Sequence, residues 1–272
     1  MACIVDEGRR GRVTFARLYV RDCPGYGFDP HTGGGSTTKN LLITNCVAEN
    51  NGRDGVTLAG IERATVAGTV SYNNDSSLVL LPVRAYVVAG TVSYNNDRHG
   101  FNSTDTEGEM VGIFGCHGYG NAEAGLAIQN STVETQIVSG SFTENGYGMR
   151  LGSSSGEVAY SSIQSCFIGR NDGYGINIRG SDSIAISGVT FRDNASASGN
   201  ADVSLQTTQS GSVGSTYVSI VGSAFEGVSQ TYGVDERSGS GPTNVVGCSF
   251  RGNYSTAVNL SNANRNDVAN LT

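Results

Sequence analysis

Two short stretches, Tyr26-Gly27-Phe28-Asp29-Pro30-His31 and Asn96-Asp97-Arg98-His99-Gly100-Phe101, concentrate two of the chain's three histidines with a tyrosine, an aspartate and an arginine. The surrounding sequence is mostly Gly, Ser, Asn and Val. This combination suits removal of a proton next to a carboxylate. Such a proton is very weakly acidic until the carboxylate is neutralised, so a cation or hydrogen-bond donor is needed there, and Arg98 is the best candidate. A base must then reach the carbon from one face and an acid must return a proton from the other. Imidazole titrates near neutrality and a phenol can donate, so His and Tyr fit those two tasks.

The elements that position these residues follow from composition and repetition. The chain has 272 residues, 39 Gly, 4 Pro, no Trp and 38% hydrophobic residues, which is enough for one large domain with a core. Its glycine content is about twice average usage, which implies many tight turns. The formal charge of −7 excludes a basic-faced nucleic-acid binder. All but one of the basic residues are Arg, the exception being Lys39 in a Gly/Ser/Thr-rich loop, and this suits fork-like recognition of carboxylates. No apolar run approaches the ~18 residues that would span a membrane. The start, Met1-Ala2-Cys3-Ile4-Val5-Asp6-Glu7, lacks the basic and apolar regions of a signal peptide, so the native N-terminus is expected to be missing.

Asparagines act as rulers. Asn51, Asn73, Asn95, Asn121, Asn145, Asn171 and Asn194 recur at steps of 22, 22, 26, 24, 26 and 23, and Asn253 resumes the series. Five residues before them stand Cys46, Gly68, Gly90, Cys116, Gly140, Cys166, Val189 and Cys248; three before stand Ala48, Val70, Val92, Gly118, Phe142, Ile168, Phe191 and Phe250. Positions two apart share one face of a strand, so both small or apolar columns are expected to point inward. A second apolar strand follows each Asn, as at Gly55-Val56, Gly100-Phe101, Gly125-Leu126, Gly148-Met149, Gly175-Ile176 and Gly233-Val234. Coils of this length leave no room for a crossover helix, and a propeller would need repeats nearer ~40 residues. The expected fold is all-β: one right-handed parallel β-helix of about ten rungs over residues 1–272, with an asparagine column stacked at one bend.

Cys46, Cys116, Cys166 and Cys248 share the inward column, and no two lie on adjacent rungs. Two rungs span about 9 to 10 Å, beyond the ~7 Å limit for a disulfide, so reduced buried thiols are expected there. Cys3 and Cys23 are unassigned. No CxxC or clustered Cys/His spacing appears, and no metal-ligand set is assigned.

The run Val13-Thr14-Phe15-Ala16-Arg17-Leu18-Tyr19-Val20-Arg21 leading into Tyr26-Gly27-Phe28-Asp29-Pro30-His31, the Asn96–Asn102 string, and Tyr232-Gly233-Val234-Asp235-Glu236-Arg237 together resemble the catalytic module of secreted bacterial mannuronan C5-epimerases. The resemblance covers nearly the whole chain. It implies epimerisation of β-D-mannuronate to α-L-guluronate within alginate, a calcium requirement, secretion, and in some members a related lyase activity. By the same resemblance His31 and Tyr26 form the acid/base pair, with the base unassigned between them. Asp29 orients His31 or helps to bind the carboxylate, and His99 lies beside Arg98 in the groove. Arg150, Arg179 and Arg237 are candidates for lining that groove. The acidic run Asp105-Thr106-Glu107-Gly108-Glu109 is a candidate calcium loop, with a solvated loop as its simpler reading, and His117 reads as a polar or packing residue. A monomer without nucleic-acid or membrane partners is expected.

Two departures bear on activity. Family members carry a further basic residue in coils before the first string, whereas only 25 residues precede Tyr26 here. The calcium-binding nonapeptide repeats are also missing. In addition, Ala67 to Asp75 is repeated letter for letter as Ala89 to Asp97, which marks residues 76–97 as a duplicated coil. In the family about two rungs separate the two strings; here Gly27, Gly55, Leu78 and Gly100 mark three steps. Three functions remain open: an alginate epimerase, a lyase acting by β-elimination, or an inactive uronan-binding β-helix.

Overall fold

The computed structural model describes residues 4–5, 11–30, 38–104, 110–129, 134–153, 158–195, 201–208, 214–228, 230–261 and 266–268. The regular elements among them are all strands, and every pairing is parallel. A ten-stranded sheet and a twenty-stranded sheet coil together into a parallel β-solenoid, as the repeat implies. Each coil gives one short strand to the smaller sheet, for example Val47–Glu49, Val70–Tyr72, Val92–Tyr94 and His117–Tyr119. The larger sheet takes the strands that follow the bend, which in two coils run on unbroken as Val56–Ala67 and Leu78–Ala89.

Alternation decides the core. Phe28, Val56, Leu78, Phe101, Leu126, Met149 and Ile176 follow one another in register and are buried. Each coil buries its apolar face only against its neighbours. A glycine precedes Phe101 because the Gly125 carbonyl oxygen lies 2.6 Å, and the Asn121 amide nitrogen 3.0 Å, from where its Cβ would stand.

The asparagine column exists, but two of its members are shifted by one residue from the sequence reading. Asn51 Nδ2 donates to Asn74 Oδ1 (2.9 Å), Asn74 to Asn96 (3.4 Å), Asn96 to Asn121 (2.7 Å), Asn121 to Asn145 (2.9 Å), Asn145 to Asn171 (3.2 Å) and Asn171 to Asn194 (2.7 Å). Asn73 and Asn95 are exposed, with φ of 54° and 53°. Two requirements ascribed to one residue thus fall on neighbours: a left-handed residue turns the chain, and the next one supplies the buried amide. The slip also corrects the inward columns. Thr69 and Thr91, not Gly68 and Gly90, align with the cysteines, while Ser71 and Ser93 face inward in place of Val70 and Val92. A shift of one residue exchanges the two faces of a strand.

The ladder ends at Asp202 and does not reach Asn253. Asn194 Nδ2 donates to Asp202 Oδ1 at 2.8 Å, and the Tyr254 hydroxyl donates to the other oxygen at 2.7 Å. Burial pushes the Asp202 carboxyl up to about 7, against the pull of those two hydrogen bonds.

Cys46, Cys116, Cys166 and Cys248 are free and buried, each donating to the carbonyl two residues earlier at 3.3–3.6 Å. Burial pushes the Cys116 thiol up to about 11, so it behaves as a small core side chain. Cys23 is disulfide-bonded.

Candidate functional site

The turns between the ladder asparagines and the following strands line up as rows along the solenoid. The third residue before Val56, Leu78, Phe101 and Leu126 is Arg53, Asp75, Arg98 and Glu123, a row of alternating charge. Their backbones are linked, with Asp75 N–H donating to the Arg53 carbonyl, Arg98 to Asp75 and Glu123 to Arg98. The adjoining row reads Tyr26, Asp54, Ser76, His99, Ala124 and Tyr147. Sequence reasoning missed Arg53, Asp54, Asp75 and Glu123, because their constant offset from the strand start is visible only once the register is known.

At the first of these rungs Arg53 Nη1 donates to the Tyr26 hydroxyl at 2.8 Å, with its guanidinium 5.4 Å from the ring centre. This hydrogen bond holds the Arg53 pKa above its ordinary value. Asp54, on the next rung, accepts from the Thr57 hydroxyl at 3.1 Å. Burial pushes the Asp54 carboxyl up to about 6, Asp75 adds to the rise, and Thr57 and Arg98 oppose it. Asp29 is buried at the end of the neighbouring strand Phe28–Asp29. His31 lies outside the described residues, as do Cys3 and the run 105–109.

Arg98 and His99 form a second cluster. Arg98 Nε lies 3.3 Å from Glu123 Oε1, and Nη1 lies 4.0 Å from Asp75. His99 is 1% exposed; its Nδ1 accepts from the Ala124 N–H at 3.3 Å and its Nε2 stands 3.1 Å from Glu123 Oε2. Since Nδ1 accepts, the proton of the neutral ring sits on Nε2. Burial brings the His99 pKa down to about 4; Glu123 opposes this, and Arg150 and Arg98 add to it. Arg150 reaches the same carboxylate at 3.8 Å and lies 5.6 Å from the Tyr147 ring centre.

The two clusters are three register steps apart, from Phe28 to Val56, Leu78 and Phe101. That is about 14 Å at the inter-strand spacing. Arg179 and Arg237 lie further along. Arg179 Nε donates to Gln206 at 3.1 Å, while Arg237 donates to the Tyr174 hydroxyl at 2.7 Å and pairs with Asp235 at 3.4 Å. His117 is exposed on the smaller sheet. Among the described residues no group of three His, Cys, Asp or Glu side chains is disposed to hold a metal ion.

Residues 26–161, half of the chain, match a family described as periplasmic copper-binding protein (NosD). Mannuronan C5-epimerase AlgE5 of Azotobacter vinelandii is 31% identical over 147 residues, which is 52% of this chain and 12% of that protein. The chain therefore spans about an eighth of the length of such relatives. Among solved structures, the A-module of A. vinelandii mannuronan C-5 epimerase AlgE6 superposes with a TM-score of 0.67 at 27% identity, covering 96% of this chain and 64% of that one. A mutant of the periplasmic alginate epimerase AlgG gives 0.62 at 9% identity over 96% of this chain and 72% of that one, a likeness of fold alone.

Proposed function

The chain belongs to the family described as periplasmic copper-binding protein (NosD) and is similar in sequence to mannuronan C5-epimerases, and from this we propose that it epimerises mannuronate to guluronate within alginate. The geometric observation that carries the reading is the Tyr26 hydroxyl held by Arg53, beside a carboxyl, Asp54, poised at about 6. A guanidinium in this position stabilises charge that develops on the phenol oxygen as its proton moves. Tyr26 and His31 exchange the C5 proton from opposite faces. The substrate carboxylate is neutralised by Arg98, or by Arg53 on the rung nearer Tyr26.

Copper does not fit this chain's described residues: the column thiols are buried, both nitrogens of His99 are engaged, and His117 stands apart on another face. No step here runs through copper. Calcium rests on the resemblance alone, since the described residues offer no acidic cluster for it. A secreted or periplasmic location is consistent with the disulfide at Cys23, because such bonds persist in oxidising compartments. We take the chain to act as a monomer.

The three-step gap between Tyr26 and Arg98 favours a second reading, a module that binds uronans without turning them over. Proton NMR of polymannuronate incubated with the protein, with and without calcium, decides between them. Guluronate signals support epimerisation, and unsaturated ends absorbing in the near ultraviolet mark β-elimination. Retention of the polymer with an unchanged spectrum leaves binding alone.

A further inference from the structure

We infer that Glu123 is a positioning residue whose single carboxylate locks His99 into one tautomer and aims Arg98 and Arg150 at two carboxylates of one acidic polysaccharide chain. What the arginines bind rests on the alginate reading; the locking itself does not.

Three side chains converge on this one group. Oε1 receives Arg98 Nε at 3.3 Å, while Oε2 faces His99 Nε2 at 3.1 Å and Arg150 Nη1 at 3.8 Å. The Glu123 side chain is 40% exposed, and those of Arg98 and Arg150 are 52% and 26% exposed, so the cluster opens to solvent. His99 lies beneath it at 1% exposure.

The buried histidine has both nitrogens committed, one accepting from the Ala124 N–H and the other donating to Glu123. It has no lone pair left for a substrate proton, so its effect on chemistry passes through the carboxylate it holds. That grip matters because a glutamate on a turn otherwise samples many rotamers. Pinned from below, Glu123 can engage an arginine from either side.

Glu123 occupies the middle of three successive rungs. Phe101 pairs with Leu126 and Leu126 with Met149, so Arg98, three residues before Phe101, and Arg150, one residue after Met149, belong to rungs two steps apart, about 10 Å along the axis, while their guanidiniums converge on the carboxylate between them. A guanidinium carries five N–H donors; Arg98 directs Nε at Glu123 and brings Nη1 to 4.0 Å from Asp75, so Nη2 is the donor nitrogen turned to neither acid and available to a ligand carboxylate. At the same offset the next two rungs carry Gly146 and Gly173, so the charged row stops here.

The test uses Glu123→Ala and Glu123→Gln in the full chain, with three readouts. In nitrogen-15 NMR, wild-type His99 should be a neutral ring protonated on Nε2, and in Glu123→Ala that proton should exchange with water about tenfold faster as its acceptor is lost. With polymannuronate, kcat should fall about tenfold while KM does not rise, because orientation is lost and one negative charge leaves the groove. Thermal melting identifies any variant that fails to fold, in which case Glu123→Gln carries the comparison, since it keeps the shape without the charge. An unchanged His99 signal in Glu123→Ala, or a kcat within twofold of wild type, overturns the inference. If the wild type itself turns over no polymannuronate, the alginate reading fails, and the NMR arm still decides whether Glu123 locks His99.

Discussion

At the residue scale, the two strings make two clusters with different jobs. Tyr26 is half-buried and touches Arg53, whereas His99 is sealed in and held by hydrogen bonds. Tyr26→Phe and His31→Ala are each expected to abolish turnover, measured by guluronate signals, with the melting temperature unchanged, because proton transfer is lost and packing is not. Arg98→Lys should also lower turnover, since lysine keeps the charge but loses the planar fork that lies against Glu123. Asp202 makes a prediction about pH. Its folded pKa, about 7, lies above the ordinary 3.8, so its stabilising contribution is complete below about pH 4 and is lost as pH rises through about 7. His99 works in the opposite sense: its contribution is present above about 6.5 and is lost as pH falls towards about 4. Asp202→Asn keeps an acceptor for Asn194 and removes the titration. Its melting temperature should therefore exceed that of the wild type at about pH 8 and lose that advantage at about pH 5. Parallel pH profiles for the two proteins would contradict this.

At the element scale, the duplicated coil is a structural unit in its own right. Tyr72 and Tyr94, copies of each other, stack at 4.6 Å between ring centres, and Tyr119 continues the stack at 5.0 Å. Asp75, immediately before this coil, stands between Arg53 and Arg98 in the charged row. Deleting Ser76 through Asp97 joins Asp75 to Arg98 and brings the rungs of Arg53 and Arg98 together. A solenoid tolerates the loss of a whole coil because each rung meets only its neighbours. The deletion variant should fold, shown by an unchanged far-ultraviolet spectrum, and should epimerise polymannuronate about tenfold faster than the parent, a gain of only about 1.4 kcal/mol. A parent that is already the faster enzyme would mean that the extra rung belongs to a working site. This coil was legible from its copied letters, yet its face was not. Two adjacent asparagines gave the ruler a choice, and Asn73 in place of Asn74 turns Ser71 out and Val70 in, the reverse of the observed burial.

At the scale of the whole molecule, the buried amide ladder links successive rungs from Asn51 to Asp202 and stops short of the C-terminal rungs. Asn121→Ala removes a central member: the buried Asn96 N–H and Nδ2 lose their Asn121 acceptor and Asn145 Oδ1 keeps only the backbone N–H of residue 121, which should cost about 2 kcal/mol. Nearest-neighbour coupling predicts that hydrogen exchange rises in the flanking coils and stays unchanged at the ends. Uniform loss of protection would argue for all-or-none folding instead. The sequence by itself determined the solenoid, the cysteine column at four of its positions and the extra coil, because a stacked repeat writes its period directly into the chain. Only the tertiary structure decided which residues meet across rungs. Arg53 with Tyr26, and Glu123 with Arg98, His99 and Arg150, are separated by 24 to 27 residues in sequence. Their contacts depend on register, and register is fixed by which alternate residues bury their side chains, a property of the packed coil and not of either string alone.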